Sequence, residues 1–233
     1  MNHSINISYT FGFPGGESQV FDLLLDDETL DLQAQPREEP PPWTLLERNQ
    51  CVNCPLDNRQ HRFCPVALNF VDVAEQFAQR VSYEEVQVTV ATPDRTYIKD
   101  TVLQQGLSSL LGVIMTTSGC PIMEPLKPMV RQHLPFATVL ETLIRAVSMY
   151  LLAQYLRRSE GQSFEFGLGG LNRIYAEVAL VNRDFARRLQ EAATEDANIN
   201  ALVGLDCFAT MALLIADDML NGIKPHFSAY MDD

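Results

Sequence analysis

Residues 86–115, VQVTVATPDRTYIKDTVLQQGLSSLLGVIM, contain a change of hydrophobic periodicity that decides the fold class. Apolar and polar residues alternate from Val86 to Val90, as in a half-buried strand, and a turn at Pro93-Asp94 leads into a second extended run. After Leu103 the apolar residues follow the spacing of a helix. A β-hairpin that leads directly into a helix predicts an α+β fold for this chain.

Both patterns continue away from this stretch. Towards the N-terminus, alternating segments at 5–11, 21–25 and 30–34 predict a three-stranded antiparallel meander. Towards the C-terminus, helical spacing predicts three long helices. The predicted regions are a β meander at 1–35, a proline-rich linker and cysteine-rich loop at 36–64, and a mainly helical body at 65–233 with the hairpin near 84–101.

The charge of the chain limits the kinds of partner that we expect. Its 233 residues include 30 acidic and 17 basic side chains, which gives a formal net charge of -13. Phosphate backbones and anionic lipid surfaces repel such a chain, so nucleic acid and membranes are poor candidates. We expect a protein partner instead.

The sequence also predicts a cytoplasmic protein. The N-terminal residues lack the basic and apolar regions of a secretory signal. The most apolar stretch, Thr138 to Leu156, contains Glu141 and Arg145 and is predicted to be a buried helix rather than a membrane span. In a reducing cytoplasm, cysteines are metal ligands or redox groups more often than disulfides.

Four of the five cysteines have the pattern of a metal site. Cys51 and Cys54 form a Cys-x2-Cys pair that can bind one ion, Cys64 follows after nine intervening residues, and Cys120 lies far downstream. Cys64 and Cys120 each precede a proline suited to the first position of a helix. We therefore expect both at helix N-caps, where the helix dipole favours thiolates. Together the four residues are predicted to bind one metal ion between distant segments.

Zinc is the predicted metal, although the pattern fits other sites. A closed set of four thiolates suits structural zinc, but the same ligands hold iron–sulfur clusters, in which Cys-Pro is common. Cys51 and Cys54 could instead form a redox dithiol, and reduced core cysteines without metal fit the same sequence. His61 is an alternative ligand or a supporting donor, because it lies three residues before Cys64.

A second candidate site follows Cys120. Lys127, Arg131 and His133 lie in a proline-rich stretch and could bind an anion or support an enzymatic site, although charged loop residues usually face water. The chain has no Gly-x-Ser-x-Gly motif, no phosphate-binding loop with its lysine and no Glu-x-x-His pair. We therefore predict a metal-binding protein with an interaction or regulatory role rather than an enzyme.

Overall fold

The computed structural model describes residues 4–34, 36–192, 196–214 and 216–231, without the side chains of residues 204 and 207–217. Its strands are β1 (Ser4–Gly12), β2 (Ser18–Asp26), β3 (Glu85–Ala91) and β4 (Thr96–Val102). Its helices are α1 (Pro65–Gln76), α2 (Leu103–Thr117), α3 (Pro128–Arg131), α4 (Val139–Ser159), α5 (Gly169–Leu189), α6 (Ala197–Leu214) and α7 (Ala216–Ile223). These elements make an α+β fold, as predicted.

The strands form one antiparallel sheet in the order β2-β1-β3-β4. Tyr9 in β1 lies opposite Phe21 of β2 on one side and opposite Val90 of β3 on the other. The N-terminal hairpin and the hairpin of β3 and β4 therefore belong to a single sheet. The linker, the cysteine-rich loop and α1 separate these two hairpins along the chain.

The core lies between the sheet and helices α1 and α2. Phe11 in β1 packs against Phe77, which directly follows α1, with ring centroids 5.2 Å apart. Gly106 allows α2 to approach the sheet, because a Cβ at this position would lie 2.6 Å from the Phe11 ring and 2.8 Å from Val88. Helix α6 packs against both α2 and α5 and extends the core away from the sheet.

One predicted strand is absent from the sheet. The sequence predicted a third strand of the meander at 30–34, but in the described part of that segment only Leu32 pairs, as an isolated bridge to Leu25. Leu30 has a φ of 60°, which interrupts the extended chain. The Leu32 N–H donates a hydrogen bond to the carbonyl of Thr117 at the end of α2. This segment therefore connects the sheet to α2 instead of continuing the meander.

Helix α4 is less buried than the sequence predicted. Its buried residues are Leu143, Ala146 and Tyr150, so the last two turns lie outside the core. The prediction of a buried helix is wrong there, because that end of α4 extends past the elements that cover its first half. Within the described residues, α4 alone has the length and composition to cross a membrane, and 17% of its apolar window is buried. A lone helix of this kind is compatible with a soluble protein.

Candidate metal centre

Cys51, Cys54, Cys64 and Cys120 all line one small cavity, which we call the cysteine pocket. Its volume is about 20 Å³. All four thiols are free; Cys64 is buried and the other three are half-buried. The structure thus brings the predicted cysteines to one place. Arg188 and a set of apolar residues complete the wall, namely Leu46, Leu56, Pro65, Val66, Ile122, Val181 and Phe185.

The first two cysteines lie in a tight turn that is anchored to α5. A hydrogen bond of 3.0 Å from the Cys54 N–H to the Cys51 carbonyl closes the turn. Between them, the N–H of Val52 donates to the carboxylate of Asp184 at 2.9 Å. Because Asp184 is 3% exposed, this contact fixes the cysteine turn against the buried side of α5.

Cys64 is the N-cap of α1, as predicted, and Pro65 occupies the first helical position. The Cys64 N–H donates to the carbonyl of Thr44 at 2.8 Å, which joins the start of α1 to the linker. Burial raises the pKa of the Cys64 thiol. The charge of Arg188 and the backbone N–H groups of the first helical turn oppose that rise, because they favour the thiolate.

Cys120 does not cap a helix, so that part of the prediction is wrong. Helix α2 ends at Thr117, and Gly119 then adopts a φ of 81°, which glycine tolerates. Cys120 begins a turn that leads into a short 3-10 helix at Glu124–Leu126. An α-helix does not form because Pro125 has no N–H to continue the hydrogen-bond ladder. Burial raises the pKa of Cys120, and the backbone N–H groups of the turn lower it.

Burial disfavours the thiolate forms of Cys51, Cys64 and Cys120 by raising their pKa values. Burial, followed by the charges of the other three cysteines, raises the pKa of Cys51 to about 12. Among the described residues, no three His, Cys, Asp or Glu side chains are arranged as a preformed metal site. Metal binding at the pocket therefore requires the thiols to lose protons and rotate towards a common point.

Arg188 adds a buried positive charge to the wall of the cysteine pocket. It is 1% exposed, and its guanidinium donates to the carbonyls of Trp43 at 2.6 Å, Leu45 at 2.7 Å and Leu46 at 3.3 Å. Its Nε has no hydrogen-bond partner, and no carboxylate of a described residue pairs with it. A buried cation that has no counter-ion among the described residues is unfavourable, so an anionic group in the pocket would stabilise it.

Sequence comparison assigns the chain to a family. The sequence profile of a family described as a domain of unknown function, DUF6901, matches residues 7–228. The chain belongs to this family. The match includes the sheet, the cysteine-rich loop and the helices, so the cysteine pocket lies inside the DUF6901 domain. No curated protein and no solved structure matches the chain.

Two other residues that the sequence suggested do not line the cysteine pocket. His61 is exposed and is not part of the wall, so it does not reach the thiols in this arrangement. Its role as an alternative ligand stays a prediction. The fifth cysteine, Cys207, was interpreted from the sequence as a small buried hydrophobic residue, and its side chain lies outside the described residues.

The structure does not bring Lys127, Arg131 and His133 together into the predicted anion site. Lys127 pairs with Asp31 at 2.6 Å, and Arg131 pairs with Asp27 at 2.5 Å, so both cations already have carboxylate partners. His133 is half-buried and lines a different cavity, whose wall includes neither Lys127 nor Arg131. These contacts do not favour an anion between the three side chains.

The sequence analysis missed Arg188 as a part of the site. It lies three residues after Phe185 and seven after Val181, which places it on the apolar face of α5. An arginine at an apolar-face position is a signal of a buried charge. The position of Arg188 on the apolar face could be read from the sequence. The sequence did not show which distant segment of the chain would pack against its guanidinium.

Proposed function

We propose that this DUF6901 protein is a cytosolic metal-binding protein in which Cys51, Cys54, Cys64 and Cys120 hold one structural zinc ion. The observation that carries this proposal is that four free thiols from separate segments line one pocket. Zinc would cross-link the cysteine-rich loop, the start of α1 and the segment after α2. Four protein ligands leave no open position for a substrate, so the role is a non-catalytic one in interaction or regulation.

The size of the cysteine pocket favours a single ion over a cluster. A bound water needs about 10–15 Å³ of such space, and the cysteine pocket has about 20 Å³. An iron–sulfur cluster places several iron and sulfide atoms between the thiolates, so the pocket would have to expand to hold it. One zinc ion needs much less room, since its thiolate ligands lie at about 2.3 Å.

Charge balance also supports a thiolate site. Four thiolates around one zinc ion carry a net negative charge, and the buried guanidinium of Arg188 would lie against it. Without that charge, the described partners of the guanidinium are backbone carbonyls. Metal binding would therefore give the buried cation a counter-charge, which is the condition under which a buried charge is tolerated.

A redox dithiol formed by Cys51 and Cys54 is the second candidate function. Their turn and their free thiols favour it. The pKa of Cys51, raised to about 12 by burial and by the neighbouring cysteines, argues against it. Redox cysteines react as thiolates and have lowered pKa values, so a protonated Cys51 would react slowly at neutral pH.

The same features favour the cytosol and a protein partner. Four free thiols around one pocket would be prone to disulfide formation in an oxidising compartment. The net charge of -13 disfavours nucleic acid and anionic membranes as partners. The exposed end of α4 presents Leu152, Tyr155 and Leu156, and a protein partner could cover these apolar side chains.

The proposal is tested by elemental analysis and absorption spectroscopy of protein purified without added metal. We expect roughly one zinc ion per chain and no visible absorption, as for a closed thiolate site. Cys54→Ser and Cys120→Ser should lose most of the zinc, because each removes one of four ligands. Cys207→Ser is the matched control and should keep it.

Other outcomes separate the alternatives. A brown protein with iron and acid-labile sulfide would replace zinc by a cluster. A chain that is purified without metal and takes up no zinc on titration would contradict the metal site, and a disulfide between Cys51 and Cys54 that cycles with a reductant would then favour the dithiol. Equal zinc loss in the Cys54→Ser and Cys207→Ser variants would contradict the assigned ligands.

A further inference from the structure

A second and much larger cavity lies between helices α2, α3, α4, α5 and α6. Its volume is about 720 Å³. Pockets that bind small organic ligands usually measure about 300–1,000 Å³. This cavity, which we call the large cavity, is therefore of the right size for a small molecule, and it shares no lining residue with the cysteine pocket.

The wall of the large cavity is mainly apolar, and its described residues carry no negative charge. Its described lining contains no aspartate or glutamate, although the whole chain has a formal net charge of -13. The apolar part of the wall comes from all of the surrounding elements and includes Val113, Met129, Leu134, Phe136, Val178 and Leu205. Such a wall suits a ligand with an apolar body. It would not repel a negatively charged group on that ligand.

Arg145 supplies a positive charge inside the large cavity. It is half-buried, it forms no ion pair with a described residue, and its Nε has no hydrogen-bond partner. Its one described hydrogen bond runs from a terminal nitrogen to the carbonyl of Met129 at 2.8 Å. Lys99 also borders the cavity but is exposed. Besides the buried Nε, one terminal nitrogen of the guanidinium has no hydrogen bond to a described residue, and it is the donor left for a ligand in the cavity that Arg145 lines.

Two further titratable groups near Arg145 are neutral. Burial, followed by the charge of Arg145, lowers the pKa of His133 to about 3, so its imidazole is uncharged at neutral pH. Burial raises the pKa of Tyr175, and the charge of Arg145 partly offsets that rise. Neither group can neutralise the guanidinium. Glu141, one turn before Arg145 on α4, acts on it through its charge but forms no ion pair with it, so a bound anion could pair with the guanidinium directly.

Asn182 is a second polar group in the wall whose side-chain oxygen has no partner among the described residues. It is 1% exposed, lines the large cavity, and its Oδ1 accepts no hydrogen bond from a described residue. A buried amide oxygen without a donor is unfavourable. Asn182 lies seven residues beyond Tyr175 on α5, which corresponds to about 10 Å along the helix axis. Its Oδ1 is closed off from the cavity, so the amide has to turn before it can accept a hydrogen bond from a ligand.

We propose that the large cavity binds a small monocarboxylate with an elongated apolar body and a hydroxyl or amide donor at its far end. The carboxylate pairs with Arg145, the body lies against the apolar wall, and the amide of Asn182 turns so that its Oδ1 accepts a hydrogen bond from the donor. A single guanidinium with an apolar surround suits one carboxylate better than a phosphate, which carries more charge and needs more donors. This ligand site is independent of the metal proposal, since it uses none of the cysteine ligands.

The test is isothermal titration calorimetry of the whole chain with three matched compounds below their micelle concentrations. These are ω-hydroxydecanoate, decanoate and decanol. We expect decanoate to bind roughly tenfold or more tightly than decanol, because a charged hydrogen bond is lost with the carboxylate. ω-Hydroxydecanoate should bind more tightly than decanoate, at one molecule per chain.

Two variants test which residue contacts each end of the ligand. Arg145→Met should reduce decanoate binding to the level of decanol, while Arg158→Met, an exposed arginine on the same helix outside the cavity, should change nothing. Asn182→Leu should keep decanoate binding and remove the preference for ω-hydroxydecanoate. Circular dichroism checks that each variant is folded, and the three-compound series on the unaltered chain stands even if a variant is not.

The proposal is overturned by any of three results. One is decanol binding as tightly as decanoate to the unaltered chain. Another is unchanged decanoate affinity in folded Arg145→Met. The third is no saturable binding of either carboxylate.

Discussion

Arg188 places a positive charge in the wall of the cysteine pocket, and that charge acts on Cys64. It lowers the pKa of Cys64 against the rise that burial causes. We predict that Arg188→Met weakens zinc binding by roughly 10–100-fold, the range seen when a group that supports metal ligands is removed. Competition for zinc with a chromophoric chelator measures the change.

An exposed arginine on the same helix provides the control for this prediction. Arg173 is mostly exposed and pairs with the exposed Glu165 at 2.9 Å. Arg173→Met should leave zinc affinity within about twofold, because surface ion pairs contribute little. Equal affinities in the unaltered chain and in folded Arg188→Met would show that the buried guanidinium does not serve the metal site.

His133 is the residue whose protonation we expect to govern acid stability. Its Nε2 lies 2.5 Å from the hydroxyl of Tyr9, and its pKa is lowered from 6.5 to about 3 by burial and by Arg145. Below pH 6.5 the unfolded chain takes up a proton that the folded protein does not take up until about pH 3. The stabilising contribution is therefore complete above pH 6.5 and is lost as the pH falls through that window.

His133→Gln tests this titration, since glutamine keeps an acceptor for Tyr9 and does not titrate. Between pH 7 and pH 4.5, urea unfolding should show that the unaltered chain loses roughly 2 kcal/mol more stability than the variant. Comparing the two proteins cancels the contribution of the carboxylates, which both share. The same loss in both would mean that His133 is protonated in the folded protein.

The sequence predicted some of the site at this scale but not all of it. Cys51, Cys54 and Cys64 were identifiable because ligand spacing is a local property of the chain, and Pro65 marked Cys64 as a cap. Cys120 was included because Pro121 suggested a second helix start, not because of spacing. Arg188 was not identified, because burial of a charge depends on which segment covers it. The Cys120 cap was wrong, because Pro121 suggested a helix start while Pro125 prevents an α-helix.

At the scale of elements, the cysteine pocket joins three segments of the chain. Cys51 and Cys54 lie in the loop, Cys64 begins α1, and Cys120 follows α2. Zinc at this point should stabilise the fold through binding. Free zinc at ~100 times Kd should raise the free energy of unfolding by about 2.7 kcal/mol.

Cys120→Ser should lose this zinc-dependent stabilisation. We expect a gain below about 1 kcal/mol on adding zinc, measured by urea unfolding with and without the metal. Cys207→Ser is the control and should gain as much as the unaltered chain. A full gain in Cys120→Ser would remove Cys120 from the ligand set.

The sequence predicted helices α2 and α5 better than it predicted the pairing of the strands. The amphipathic spacing that predicted α2 and α5 is local, so those helices lie where the sequence placed them. The pairing of β1 with β3 joins distant segments and has no local signal in either strand. The strand at 30–34 failed because a positive φ at Leu30 overrides the alternating pattern.

At the scale of the whole molecule, α5 separates two cavities of different chemistry. Val181, Phe185 and Arg188 face the cysteine pocket, while Tyr175 and Asn182 face the large cavity. Cys120 and the residues that follow it also contribute to both walls, with Ile122 in one and Met123 in the other. A metal on one side of α5 and a ligand on the other would therefore order the same elements.

The most direct test of the account is zinc K-edge X-ray absorption on the whole protein, purified without added metal. The account predicts a shell of four sulfur atoms at about 2.3 Å, and in Cys120→Ser a weakened shell with one sulfur fewer. A shell of three protein ligands plus a water oxygen would contradict the structural role, because it would leave an open position on the metal for catalysis.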